Sequence, residues 1–256
     1  MIKTIKTMSK QEKERYTVPR KVQDVIPVRR IWPDGIFLVG NKFSKTYKFS
    51  DINYLVASRE DKESMFLTYS ELLNSLDSGA VTKITINNRR MNQANFETSI
   101  LMPMQGDFRD EYRKEYNQML LDKATGANGI TQEKYITISV VKKDIEEARA
   151  YFARVGADLI SHFSALGSKC VELDATERLR ILHDFYRQGE ESEFVFNARE
   201  MMKRGHSFKD YICPDGIEKN SDYLKLGDKF CRVLFLKDYA SYIKDNMVTC
   251  LLYTSD

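Results

Sequence analysis

Apolar residues recur along this chain in two rhythms, and each rhythm marks a different kind of element. From Tyr135 to Val141 the period is two, which puts Ile136, Ile138 and Val140 on one face of a strand. Immediately afterwards the spacing becomes three and four. Ile145, Ala148, Phe152, Val155, Leu159, His162 and Leu166 form one stripe of a long helix, and Gly167 supplies its C-terminal cap. Asp174 and Glu177 make a capping box for a following helix whose buried side is Leu179, Leu182, Phe185 and Tyr186.

Upstream, Val25, Ile26, Val28, Ile31 and Trp32 mark the entry into a fold. Pro33-Asp34-Gly35 is a turn, Ile36–Val39 a buried strand, Gly40-Asn41 a tight hairpin turn, and Lys42 to Asp51 the return strand. Ser58 caps a helix carrying Met65, Phe66, Tyr69, Leu72, Leu73 and Leu76, which stops at Asp77-Ser78-Gly79. Val81 to Ile86 reads as a strand with Ile84 and Ile86 on one face. A second amphipathic helix is predicted from Asp107, with Phe108, Tyr112, Tyr116, Met119 and Leu120 in line, ending in the loop Gly126-Ala127-Asn128-Gly129. Residues 188–210 read as a surface connection with a short helix. Hairpins combined with singly striped helices predict an α+β fold, mainly antiparallel sheet with helices packed on one face.

The first hairpin returns late in the chain. Gly40-Asn41-Lys42-Phe43 and Gly227-Asp228-Lys229-Phe230 are separated by 187 residues. The same offset matches Lys45 with Arg232, Tyr47 with Leu234, Phe49 with Leu236 and Asp51 with Asp238. Pro33-Asp34-Gly35-Ile36 recurs as Pro214-Asp215-Gly216-Ile217, six residues out of that register. Two unrelated hairpins could share such turn chemistry, but the shared charged and apolar positions favour a duplication. The expected organisation is a disordered basic leader over residues 1–24 and an α+β domain over 25–210 as the first repeat unit. Residues 211–248 would then open a second unit that is cut short. Residues 249–256 resemble the translation of a sequencing adapter and are read as a non-native tail.

Charge adds one asymmetry. Residues 1–21 carry a net charge of +5 and the remaining 235 residues a net of −2. The basicity therefore sits in a tail, whereas a duplex-DNA reader shows a basic stripe on its folded body. No apolar run approaches the length of a membrane helix, and the charged N-terminus is not a secretory signal. The four cysteines lack framework spacing and read as reduced thiols.

Candidate chemistry is sparse. No glycine is followed directly by lysine, so the chain has no G-x-x-x-x-G-K-[ST] phosphate loop, and no nucleotide hydrolysis is expected of it. Cys170, His183, His206 and Cys213 have none of the paired spacings of a zinc site, and no cofactor, metal ligand or catalytic residue is assigned. A cysteine nucleophile built on Cys170 with His162 or His183 stays open, although nothing singles out that pair. The polar cluster of Arg89, Arg90 and Asn92 is the candidate interaction surface, for a protein partner or nucleic acid, with a solvated turn as the plain alternative.

The segment KYITISVVKKDIEEARAYFARVGADLISHFSALGSKCVELDATERLRILHDFYR, Lys134 to Arg187, resembles part of the large cytoplasmic ATPase of type IV secretion and conjugative DNA-transfer systems, the CagE/TrbE/VirB family. VQDVIPVRRIWPDGIF (Val22 to Phe37), FSDINYLVASREDKESMFLTYSELLNSLDSGAVTKITINNRRMN (Phe49 to Asn92) and DYLKLGDKFCRVLFLKDYASYIKD (Asp222 to Asp245) resemble the branch from Gram-positive conjugative elements. The resemblance implies the family's N-terminal region without its motor, so ATP and magnesium would belong only to that motor. It further implies a non-catalytic docking and assembly module at the cytoplasmic, inner face of the plasma membrane. That module would touch other secretion-channel subunits and reach the membrane through them. The competing expectation is a nucleic-acid-binding module that uses the basic leader with Arg89 and Arg90. Self-association is a third expected contact, because a second hairpin without its covering elements would leave apolar surface open.

Overall fold

The computed structural model describes residues 19–52, 54, 56–90, 101–126, 130–191, 193–235, 237–238 and 241–242. The described chain is α+β and falls into two units, residues 1–213 and 214–256, each taken by itself below.

The first unit is built on an antiparallel sheet of β1 (Val28–Ile31), β2 (Phe37–Val39), β3 (Lys42–Phe49), β4 (Val81–Arg90), β5 (Ile130–Val140) and β6 (Cys170–Glu172). The order is β1-β2-β3-β5-β4, and β6 also pairs with β3. The helices are α1 (Val22–Val25), α2 (Arg59–Asn74), α3 (Asp110–Gly126), α4 (Ile145–Ala165), α5 (Ala175–Tyr186) and α6 (Ala198–Arg204). A short 3-10 turn follows at Phe208–Tyr211.

Strand β3 is the keel of this unit. Along one edge it pairs with β5 from Phe43↔Val140 to Phe49↔Lys134. Along the other edge it pairs first with β2 and then with β6, through Tyr47↔Glu172 to Phe49↔Cys170. Phe43, Tyr47, Ile136, Ile138 and Val140 meet α4 through Ala148, Phe152, Val155, Leu159 and Phe163, all buried. The predicted α4 stripe is thus the core stripe, with His162 half-buried at its margin. Asp144 caps α4 by accepting from the Glu147 amide at 2.9 Å. Helix α2 adds Leu72 to the same core and lays Met65, Tyr69 and Leu76 against it.

The opposite sheet face carries a second, smaller core, which the apolar periodicity did not announce. Leu38 stands opposite Phe43 and Phe37 opposite Ser44, so adjacent residues of β2 serve opposite faces. Phe37 packs with Ile26, Val28, Ala175, Leu179, Ile212 and Cys213. Helix α5 starts at the capping box predicted for it, with Asp174 accepting from the Glu177 amide at 2.8 Å. Its Phe185, expected on the buried side, is 66% exposed, while Leu182 and Tyr186 pack on the core. Val22 also packs there, so the leader expected to run through residue 24 gives way to structure at α1.

Two further expectations are corrected. Strand β4 does not stop at Ile86 but continues through Asn87 and Asn88 to Arg90, because β5 extends to Ile130 and supplies partners for the whole length. Phe108, Tyr112, Tyr116 and Met119, in line on and just before α3, are exposed rather than buried. The inner side of α3 is marked instead by Asn117, 8% exposed, which donates to Met102 O and accepts from Met102 N, both at 2.9 Å.

The second unit is a three-stranded antiparallel meander of β7 (Ile217–Lys219), β8 (Leu224–Leu226) and β9 (Lys229–Cys231). Both glycine pairs of the repeat lie in hairpin turns, with Gly40 at φ 62° and Gly227 at φ 56°, the left-handed region that the turn demands. The registers correspond. Leu38↔Phe43 becomes Lys225↔Phe230 and Phe37↔Ser44 becomes Leu224↔Cys231, each by the offset of 187. The strand before each hairpin pairs alike, β1 on β2 and β7 on β8. The Pro-Asp-Gly-Ile repeats do not correspond: Pro33–Ile36 joins β1 to β2, while Pro214–Ile217 leads into β7. Leu234 lies beyond the end of β9, unlike its counterpart Tyr47 within β3, and Leu236 lies outside the described residues. Tyr47 is held in strand by β5 and β6, and among the described residues β9 has neither partner.

Candidate interaction surface

Several buried polar and ionisable groups are tied into the packing. Lys45 is buried and pairs with the more exposed Glu172, Nζ to Oε2 at 2.5 Å. Beside them Tyr47 donates its hydroxyl to Phe152 O at 3.3 Å, and burial followed by the Glu172 charge holds its phenol strongly in the neutral form. Gly156 lets α4 approach this group. A Cβ there would stand 2.6 Å from Glu172 Oε1 and 3.0 Å from Tyr47 Oη. Arg178 is buried on the other face, its guanidinium 4.0 Å from the Phe37 ring. It donates to Gly35 O and Ser44 O, both at 2.7 Å, and to Ser44 Oγ at 3.1 Å. Burial pulls its pKa down to about 9. It acts as a rivet from α5 to the β2–β3 hairpin.

The sulfur and imidazole residues are not brought together. Cys170 lies in the first core and Cys213 in the second, with His183 buried on α5 and His206 exposed. Among the described residues no three His, Cys, Asp or Glu side chains cluster as metal ligands. Burial and then the Glu172 charge push the Cys170 thiol up to about 11, and burial also raises that of Cys213. An activated cysteine has a depressed pKa, and both of these shifts run the other way. His183 Nδ1 lies 3.8 Å from Asp184 Oδ1 without a hydrogen-bond partner, and its ring is 5.1 Å from that of Phe194.

Arg89 and Arg90 are strand residues, with backbone partners Thr131 and Ile130, rather than the loop expected of them. Asn92 lies outside the described residues. In the same strand Asn88 accepts from Gln132 Nε2 at 3.2 Å across the pair.

Exposed apolar groups form a surface that includes Phe66, which the sequence reading placed in the apolar line of its helix. On α2, Phe66 and Leu67 are 67% and 62% exposed. With Tyr54, Arg59, Lys62 and Glu63 they line a shallow cleft, where the Lys62 ammonium lies 5.2 Å from the Tyr54 ring centre. The line through Phe108 and Tyr112 is the second such surface. Its base is fixed by Arg113, which bridges Asp107 and Asp110 and donates to Gln105 Oε1 at 3.1 Å. The carboxyls of Asp107 and Asp110 are held below the usual range, Asp107 chiefly by its hydrogen bond to Arg113 and Asp110 chiefly by the Gln105 amide. Exposed aromatic and aliphatic side chains rimmed by charge are a composition found at protein contacts.

Among the described residues no helix is long and apolar enough to cross a membrane. No protein-family model matches the chain, and a search of curated proteins finds no match to it.

Proposed function

We propose that this chain is a non-catalytic docking and assembly module, the N-terminal region of an ATPase of the type IV secretion and conjugative-transfer class. It works in the cytoplasm at the inner face of the plasma membrane, which it reaches through other channel subunits. Sequence resemblance across most of residues 22–245 supports the class. The observation that carries the docking role is the exposed apolar side of α2 and α3, set on a body in which buried Lys45 and Arg178 are tied into the packing. ATP and magnesium are assigned to a motor and to no residue of this chain.

The test is binding of the purified chain to purified channel subunits from the same conjugative element. Phe66→Asp with Leu67→Asp is expected to lower affinity at least tenfold while the circular dichroism spectrum is unchanged. Binding to single-stranded or duplex DNA that weakens steeply with salt, with no subunit partner, would replace this reading by nucleic-acid recognition. Magnesium-dependent ATP turnover that co-purifies with the chain would refute the non-catalytic role.

A further inference from the structure

We infer that α3 receives an amphipathic helix of a partner protein, one with an aliphatic stripe along one side and lysine or arginine beside it. The inference rests on the docking reading and deepens it, adding the partner chemistry that the exposed side of α3 selects. Tyr112, Tyr116 and Met119 follow one another at spacings of four and three, so they form one ridge of a helix 17 residues long. Tyr112 is 70% exposed, and Phe108, just ahead of the helix, is 83% exposed. A ridge of this kind offers no strand edge, and its complement is the groove of a second helix.

The ridge is held in shape before any partner arrives. On the inner side of α3, Asn117 clasps the Met102 backbone through both its amide nitrogen and its oxygen. Arg113 ties Asp107 to Asp110, and Asp110 accepts from the Gln105 and Gly106 amides at 3.1 and 2.7 Å. These polar bonds fix the segment that presents Phe108. Side chains already in place lose little freedom on binding, which raises the affinity a small apolar surface can reach.

Charge selects the partner. Glu111, Glu115, Gln118 and Asp122, at spacings of four, three and four, run as a second line beside the ridge, and all four are exposed. Met119 shares one shallow concavity with Glu115, Gln118 and Asp122, so the apolar and acidic lines meet in a single surface. Among the described residues neither Glu111 nor Glu115 has an ion-pair partner. Arg113 is committed to Asp107 and Asp110, and Arg109 lies over the Phe108 ring at 5.3 Å. Lys114 stands about 200° round the helix from Tyr112, on the other side. An acidic line beside apolar groups repels nucleic-acid phosphates and anionic headgroups, and attracts ammonium and guanidinium groups.

The probe is a labelled amphipathic helical peptide of leucine and lysine, added to the full chain, with a peptide carrying glutamate at every lysine position as control. Saturable binding of the lysine peptide is expected, at least tenfold tighter than that of the control. Phe108→Ser with Tyr112→Ser should weaken it at least tenfold with unchanged circular dichroism. Glu111→Lys with Glu115→Lys should reverse the preference, so that the glutamate peptide binds better, an outcome that damage to the fold does not produce. Phe66→Asp with Leu67→Asp should leave peptide binding unchanged. Absence of binding, equal binding of the two peptides, an unreversed preference, or loss on the α2 variant alone overturns the inference. Protection of amides 1–18 that the charge-reversed chain loses would give the ridge to the chain's own leader. Dimers that the Phe108→Ser, Tyr112→Ser chain loses would give it to a second copy, and either result overturns the inference. The charge-reversed chain also separates this inference from the docking reading. If channel subunits bind it as well as the parent, only the α3 assignment falls; if none binds the parent, both fall.

Discussion

Single side chains divide sharply into those the core needs and those it leaves out. Phe152 is fully buried, and its removal loses both transfer energy and packing. Phe152→Ala should cost about 3–5 kcal/mol in urea unfolding. A cost under about 1 kcal/mol would show that this stripe of α4 is not core. At Gly156 the problem is the reverse. Gly156→Val pushes a branched side chain into Glu172 and Tyr47, and about 1–3 kcal/mol of destabilisation is expected from overpacking. His183 gives the pH signature. Burial, followed by the Arg187 charge, lowers its pKa from 6.5, so below that value the unfolded chain takes up the proton more readily than the folded one. Its neutral form thus supports the fold fully above about pH 6.5. That support is lost as the pH falls through the lowered folded value. Urea midpoints at pH 7.5 and 5.5 should differ more in the parent than in His183→Gln; equal differences would remove His183 as the cause.

At the level of elements, Asp174→Ala removes the α5 cap and should cost about 1 kcal/mol by the same unfolding measurement. Phe108→Ser with Tyr112→Ser, by contrast, should change stability by less than about 0.5 kcal/mol, because both side chains are exposed. What the sequence made legible follows from these cases. Helix α4, the α5 cap and both hairpin turns were readable because periodicity, capping residues and turn glycines are local signals. The extension of β4 to Arg90 was not, since ladder hydrogen bonds come from the backbone and tolerate Asn87 and Asn88. Nor was β6, whose three residues are too few for a period. Helix α3 misled for a further reason. An apolar line says that burial is available, and here Asn117 faces inward while Tyr112 stays out. The exposed side of α2 was hidden by the same route, since Phe66 stood in the apolar line of that helix and is exposed.

For the whole molecule, the two units should differ in local stability. The first has two cores. The second has strands of three residues each, and Leu226 is its one buried large apolar residue among those described. Small meanders of this kind are marginal. Amide hydrogens of 217–231 should therefore exchange well before those of β3 and β5 in the same sample, and equal protection would contradict this. The placement of β3 carries another consequence, for the growing chain on the ribosome. Its pairing partners are drawn from residues 37–39, 130–140 and 170–172. Roughly ninety residues must be made after Phe49 before one edge is covered, and over thirty more before the other is completed. At about 5–20 residues per second that interval lasts several seconds or longer. Through it, Phe43 and Tyr47 sit on a nascent strand with an open side, the situation in which a chaperone's grip decides between folding and clumping.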